Sequence, residues 1–115
     1  MPPDADVIRL RHMLDTALEV MEFAANNSRA DLQTNRMLSR AIVHDIELVG
    51  EAASRVSPET REEYATIPWA NIISMRNRLI HGYFNIDLDR VWDTVIDDLP
   101  PLIAELRIIL DNLKH

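Results

Sequence analysis

Arg76, Asn77, Arg78, His81 and Tyr83 crowd into eight residues, the densest concentration of reactive side chains in the chain. Histidine gains and loses a proton near neutral pH, and arginine carries a permanent charge on a planar fork that suits phosphate. An arginine and a histidine without acidic metal ligands beside them suit metal-independent cleavage of RNA. The ribose 2′-OH is an internal nucleophile, so the protein needs only a proton-transfer group and a charge for the phosphate. His81 could be the first and Arg76 the second. Asn77, one turn before His81, could orient the imidazole or bind a phosphate oxygen. Tyr83, just beyond the expected helix end, could touch substrate or be a modification site.

The same residues also have a purely structural reading. Trp69, Ile72, Ile73, Leu79 and Ile80 share one helical stripe, and Arg76 falls in its middle. A buried guanidinium is costly unless paired, so Arg76 could be a core arginine bridged to Glu47 or Glu51. His81 beside Gly82 could simply cap a helix C-terminus, where positive charge is favoured. On spacing alone this reading carries more weight, because an Arg…His pair is a weak pattern. In a regular helix the two side chains point about 140° apart, so one helix cannot easily aim both at one atom. Either the helix loosens at Gly82, or two copies meet across a dimer and build a shared cleft.

Composition narrows the field. The chain has 115 residues, 47% of them apolar and 27% charged, which predicts a single domain over residues 1–115 with one core. It has no cysteine, so disulfides and thiolate metal sites are excluded. Met1-Pro2-Pro3-Asp4 does not read as a signal peptide and no apolar run spans a membrane, so a cytoplasmic protein is expected. The formal charge of −7 argues against general affinity for nucleic acid. RNA would need a local patch, for which Arg36, Arg40, Arg76 and Arg78 are available; the acidic balance otherwise suits a basic protein partner. His12, His44 and His115 have no partner at ligand spacing and read as surface residues. No metal, P-loop or dinucleotide signature is present, so neither metal nor cofactor is expected. Asp97-Asp98 reads as a pair of helix-start charges.

The elements that must position the motif are helical throughout. Val7, Leu10, Leu14, Ala17, Met21 and Ala24 predict a first helix from Asp4 or Asp6 to about Asn26. A second is expected over 31–56, buried through Leu38, Ile42, Ile46, Val49, Ala53 and Val56. Ser57-Pro58 opens a short helix that stops by Thr66, since Pro68 disfavours helix at Ile67. The motif helix should run from Pro68-Trp69 to Gly82, and residues 85–87 should turn. From Leu88 the seam passes through Trp92, Val95, Leu99, Leu102, Leu106, Ile109 and Leu113, with a kink but no loss of phase at Pro100-Pro101. The expectation is an all-α, antiparallel bundle of four to five helices. Its long seams suggest at least a homodimer.

Ile67-Pro68-Trp69, Met75-Arg76-Asn77 and His81-Gly82-Tyr83-Phe84 resemble the signature of HEPN-domain proteins of the HepT-like toxin group. That signature is an arginine, four residues, a histidine, any residue and a tyrosine, met here without departure. Leu48-Val49-Gly50-Glu51-Ala52-Ala53, Val91-Trp92 and Asp98-Leu99-Pro100 are similar to further family segments, so the resemblance covers residues 40 to 113. It implies a dimeric HEPN-like bundle with two motifs lining one cleft. It also implies a metal-independent endoribonuclease acting on RNA (tRNA or mRNA) as the toxin of a type VII-like toxin–antitoxin pair. Arg76 and His81 would be catalytic, Asn77 and Arg78 would assist or bind substrate, and Tyr83 would be AMPylated by a minimal nucleotidyltransferase antitoxin. The alternative is a non-catalytic subunit that holds nucleotide or substrate for a nucleotidyltransferase complex.

Overall fold

A computed structural model describes residues 2–79 and 85–113. Among them the chain is an all-α bundle without a β-strand: α1 (Asp4–Ala24), α2 (Arg29–Thr34), α3 (Arg36–Ser54), α4 (Pro58–Glu63), α5 (Trp69–Ile73), α6 (Met75–Leu79), α7 (Leu88–Asp93), a π turn (Thr94–Asp98) and α8 (Leu99–Leu113). α1 packs along α3 and α8, and the short helices close the ends. No helix among the described residues is long and apolar enough to cross a membrane.

The core explains the long elements. α1 buries Leu10, Met13, Ala17, Val20 and Ala24, a three-four spacing that keeps one face inward. The expected seam was rotated slightly too far: Val7, Leu14 and Met21 are only partly buried on its flank, because both α3 and α8 press on the Met13–Val20 side. α3 buries Ile42, Ile46, Val49 and Ala53 as expected, and Val56 follows just beyond its end; Leu38, expected with them, is only partly buried.

The helix expected over 31–56 is instead two. Asn35 leaves the helical region at φ −111° and ψ 96°, ends α2, and accepts the Leu38 N–H on its side chain at 3.1 Å. Asparagine is among the best N-cap residues, a contribution of about 1 kcal/mol, so a restart there competes well with an unbroken helix. Upstream, Asp31 accepts the Ser28 N–H at 2.7 Å and sets the start of α2. α4 begins as the sequence indicates, with the Ser57 side chain accepting from Thr60 N and Pro58 in the first turn.

Asp6, buried on α1, fastens α4 to the bundle. Its carboxylate accepts Ser57 N at 3.1 Å, Ser57 Oγ at 2.6 Å and Thr60 Oγ1 at 2.6 Å. Burial alone would raise its pKa. The hydrogen bonds from Ser57 and Thr60, helped by the Arg61 charge, more than offset this and hold it below the ordinary value.

In the last helical run the irregularity is the π turn just ahead of Pro100-Pro101, where Leu99 N–H bonds to Thr94 O. Two prolines remove two donors and crowd the carbonyls four residues back. Widening the preceding turn by one residue accommodates them. It also shifts the phase of α7, so Val91 is buried while Leu88 and Trp92 are half-buried.

Candidate active site

The motif helix also proves to be two pieces. Ser74 sits at φ −88° and ψ 3° between α5 and α6, and Asn77 N–H bonds to Ser74 O at 2.9 Å, an i→i−3 spacing. That tighter turn resets the helical phase. The buried stripe therefore runs through Trp69, Ile72, Met75 and Leu79, and Arg76 does not lie on it. The expectation of a charge on the core-facing stripe is overturned: the Arg76 side chain is 67% exposed.

Gly50 is what lets this unit sit close to α3. A Cβ on Gly50 would stand 3.0 Å from Ile72 O and 3.6 Å from Ile73 O, both backbone atoms of α5. A glycine inside a helix is otherwise unfavourable, and its place here is the close approach of two backbones. Trp69 adds a second tie, its Nε1–H donating to Tyr64 O at 3.1 Å. At the far end Leu79 O accepts Asp87 N–H at 2.8 Å, and Asp87 caps α7 by accepting Arg90 N–H at 3.1 Å. The two described edges of the motif are thus pinned to one another.

Of the two acids considered for Arg76, Glu47 is the one nearby: Arg76 Nε lies 3.9 Å from Glu47 Oε1. That separation is a charge contact, too long for a hydrogen bond. Glu51 is occupied with Arg55 at 3.0 Å. Asn77 is exposed, and its side chain has no hydrogen-bond partner among the described residues. Arg78 turns to another flank. Its Nη2 donates to Asn71 O at 3.0 Å, and its Nε is buried without an acceptor among the described residues. It lines a groove of about 300 Å³ with Asp93, Asp97 and Asp98. Arg76 and Arg78 therefore do not form one patch: α3 neighbours the first and the acidic π turn the second. His81 and Tyr83 lie outside the described residues.

Two features escaped the sequence reading. Asp97 and Asp98 do stand at the start of α8, but they also wall the Arg78 grooves. Asp45, on the buried face of α3, meets Glu19 of α1. Burial, a hydrogen bond with Glu19 and the Glu19 charge push the Asp45 carboxyl up to about 6, with the His44 charge opposing them. Its Oδ2 has no hydrogen-bond partner among the described residues. A polar residue at a core position of the α3 pattern was the available signal. No group of three His, Asp or Glu among the described residues could hold a metal ion.

The family model described as ribonuclease HepT-like matches residues 13–109. The chain belongs to the HepT-like family. Among its relatives, "Putative RNase TTE0752" of Caldanaerobacter subterraneus subsp. tengcongensis is 32% identical over 91% of this chain and 94% of its own length. "Gamma-glutamylcyclotransferase and putative RNase MJ0434" of Methanocaldococcus jannaschii is 35% identical over 92% of this chain, which spans only 48% of that longer protein. "Probable ribonuclease HepT" of Thermococcus cleftensis is 31% identical over 75% of this chain and 79% of its own length. No solved structure matches.

Proposed function

We propose that this HepT-like chain is a metal-independent endoribonuclease, the toxin of a toxin–antitoxin pair, with Arg76 and His81 as its catalytic residues. The observation that carries the reading is the state of Arg76: exposed, tethered among the described residues only by a 3.9 Å contact to Glu47, and five residues ahead of His81. A guanidinium in that state is available to a phosphate, in a chain whose family is described as ribonucleases.

The chemistry follows from the residue types. The ribose 2′-oxygen attacks the adjacent phosphorus, its proton passes to His81, and the bond to the 5′-oxygen breaks as that oxygen takes a proton from solvent, leaving a 2′,3′-cyclic phosphate and a 5′-hydroxyl. Arg76 balances the extra negative charge that develops on the phosphoryl oxygens. Asn77, exposed and without a side-chain hydrogen-bond partner among the described residues, binds a phosphate oxygen or the imidazole; Arg78, turned to the acidic flank with Asp97 and Asp98, takes no part in holding the RNA. A homodimer would bring two such motifs to one cleft.

Tyr83 is the proposed control point. A minimal nucleotidyltransferase antitoxin would transfer AMP from ATP to its phenol oxygen, releasing pyrophosphate. A bulky anion two residues from His81 would repel and block an RNA phosphate.

A second reading has one observation in its favour. Arg78 shares its groove with Arg90 and with Asp93, Asp97 and Asp98, a lining in which acids outnumber arginines and which suits a protein partner better than RNA. On this reading the chain is a non-catalytic subunit that presents nucleotide or substrate to a nucleotidyltransferase. Incubating the purified chain with total RNA in EDTA separates the two. Cleavage by wild type and none by His81→Ala supports the ribonuclease; no cleavage by wild type supports the subunit.

A further inference from the structure

On the flank of α5 away from Gly50, a groove of about 520 Å³ opens between α5–α6 and the π turn–α8 unit. That volume is within the usual range of ligand sites, about 300–1,000 Å³. Its floor is apolar, made by Ile72, Met75, Pro101, Leu102 and Ala104. Met75 gives that floor a side chain able to reshape around what enters. The prolines help keep the far wall open, because the widened turn ahead of them sets Asp97 and Asp98 on the rim.

The rim is acidic. Asp97, Asp98 and Glu105 face the single guanidinium of Arg78. Asp97 and Asp98 are exposed and make no salt bridge among the described residues. Among the described residues Glu105 accepts only the Thr66 hydroxyl, at 3.2 Å. Arg78 donates to Asn71 O and keeps its charge, but one guanidinium against three carboxylates leaves the rim acidic. An apolar floor under carboxylates that have no ion-pair partner among the described residues has a definite complement: an apolar side chain flanked by arginine or lysine. Each cation would gain a charge-assisted hydrogen bond, and the chain's net −7 adds long-range attraction. RNA meets the opposite situation, since its phosphates would be driven against three carboxylates.

We propose that this groove docks a partner protein through a segment of basic residues around an apolar anchor. The groove does not depend on whether the chain cleaves RNA. The site is distinct from the exposed Arg76 face, so a partner seated here would leave Arg76 uncovered.

The test uses the full chain, labelled with ¹⁵N and titrated with a capped hexapeptide of alternating leucine and arginine. Saturable shifts are expected at Ile72, Met75, Leu102 and Ala104. Asp97→Asn with Asp98→Asn should weaken binding about tenfold, the scale of a lost charge pair. Asp15→Asn with Glu22→Gln removes the same charge from exposed α1 positions and should change it less than about twofold. Ala104→Trp should block the groove without altering charge. A leucine–glutamate hexapeptide should leave these resonances unmoved. Equal weakening by the two charge variants would overturn the proposal by showing general attraction. Shifts confined to other faces, or an RNA oligonucleotide moving the same resonances, would overturn it as well.

Discussion

Arg76 Nε and Glu47 Oε1 stand 3.9 Å apart across α6 and α3, with the Arg76 side chain 67% exposed and that of Glu47 33% exposed. An exposed ion pair of this kind contributes about 0–1 kcal/mol, so it cannot be what holds Arg76 in the chain. The contact instead leaves the guanidinium exposed and easily released, as the phosphate role proposed for it requires. Arg76→Ala should change unfolding free energy by no more than about 0.5 kcal/mol, while lowering RNA cleavage by about a hundredfold or more. Arg76→Lys should recover only part of that loss, because an ammonium lacks the planar fork. Thermal melts and cleavage rates on the same samples decide it. Parallel loss of folding and activity would return Arg76 to a structural role.

Glu47 gives the complementary expectation. Glu47→Gln removes the competing carboxylate but keeps the side chain's shape. Cleavage should persist and KM for RNA should fall, with kcat little changed. A large drop in kcat would mean that Glu47 itself positions the reaction.

Gly50 is the packing counterpart. Its missing Cβ allows the Ile72 carbonyl to stand where a methyl group would come within 3.0 Å. Gly50→Val places two further carbons against backbone that has no rotamer to give. Overpacking of this sort costs about 1–3 kcal/mol, outweighing any gain from removing a helical glycine. The variant should melt at lower temperature. Since α5 carries α6, it should also disturb Arg76, and cleavage should fall although Gly50 touches no substrate.

Local chemistry explains which parts of this arrangement the sequence discloses. The start at Ser57-Pro58 is legible because cap and proline act within one turn. So are most of the buried positions of α3, since its apolar face packs chiefly on α1. Asn35 and Ser74 are harder: each sits in a continuous helical pattern, and whether it restarts the helix depends on what packs on either side. The Ser74 restart alone moves Arg76 from the buried stripe to the surface. The π turn is similar, because Pro100-Pro101 announces an irregularity but not that the turn before it will widen. Gly50 stood in a quoted family segment, yet its reason appears only when the Ile72 carbonyl is seen against it.

Tyr83 offers a test that needs no geometry. If AMP on its phenol is what silences the chain, Tyr83→Phe should still cleave RNA, and ATP with a cognate nucleotidyltransferase should no longer inhibit it. Wild type under the same conditions should gain AMP and lose cleavage. Undiminished labelling of the Phe variant would move the modification to another residue.

Asp45 and Asp6 pull stability in opposite directions with pH. An unfolded aspartate titrates near 3.9. Asp6 is held below that value by its bonds to Ser57 and Thr60, so its contribution is complete above about pH 4 and is lost as pH falls through the folded pKa. Asp45 is pushed up to about 6 by burial and by Glu19, so between about pH 4 and 6 the folded chain holds a proton that the unfolded chain has released. Stability from this group therefore falls as pH rises through that window and is flat above it. Asp45→Asn keeps the shape and a donor toward Glu19 but cannot ionise. Its melting temperature at pH 8 should exceed that of wild type by several degrees, about 4–8 °C per kcal/mol in a domain of this size. The gap should close as pH approaches 4. A constant difference across the range would show that Asp45 acts through packing, and that its proton is not shared with Glu19.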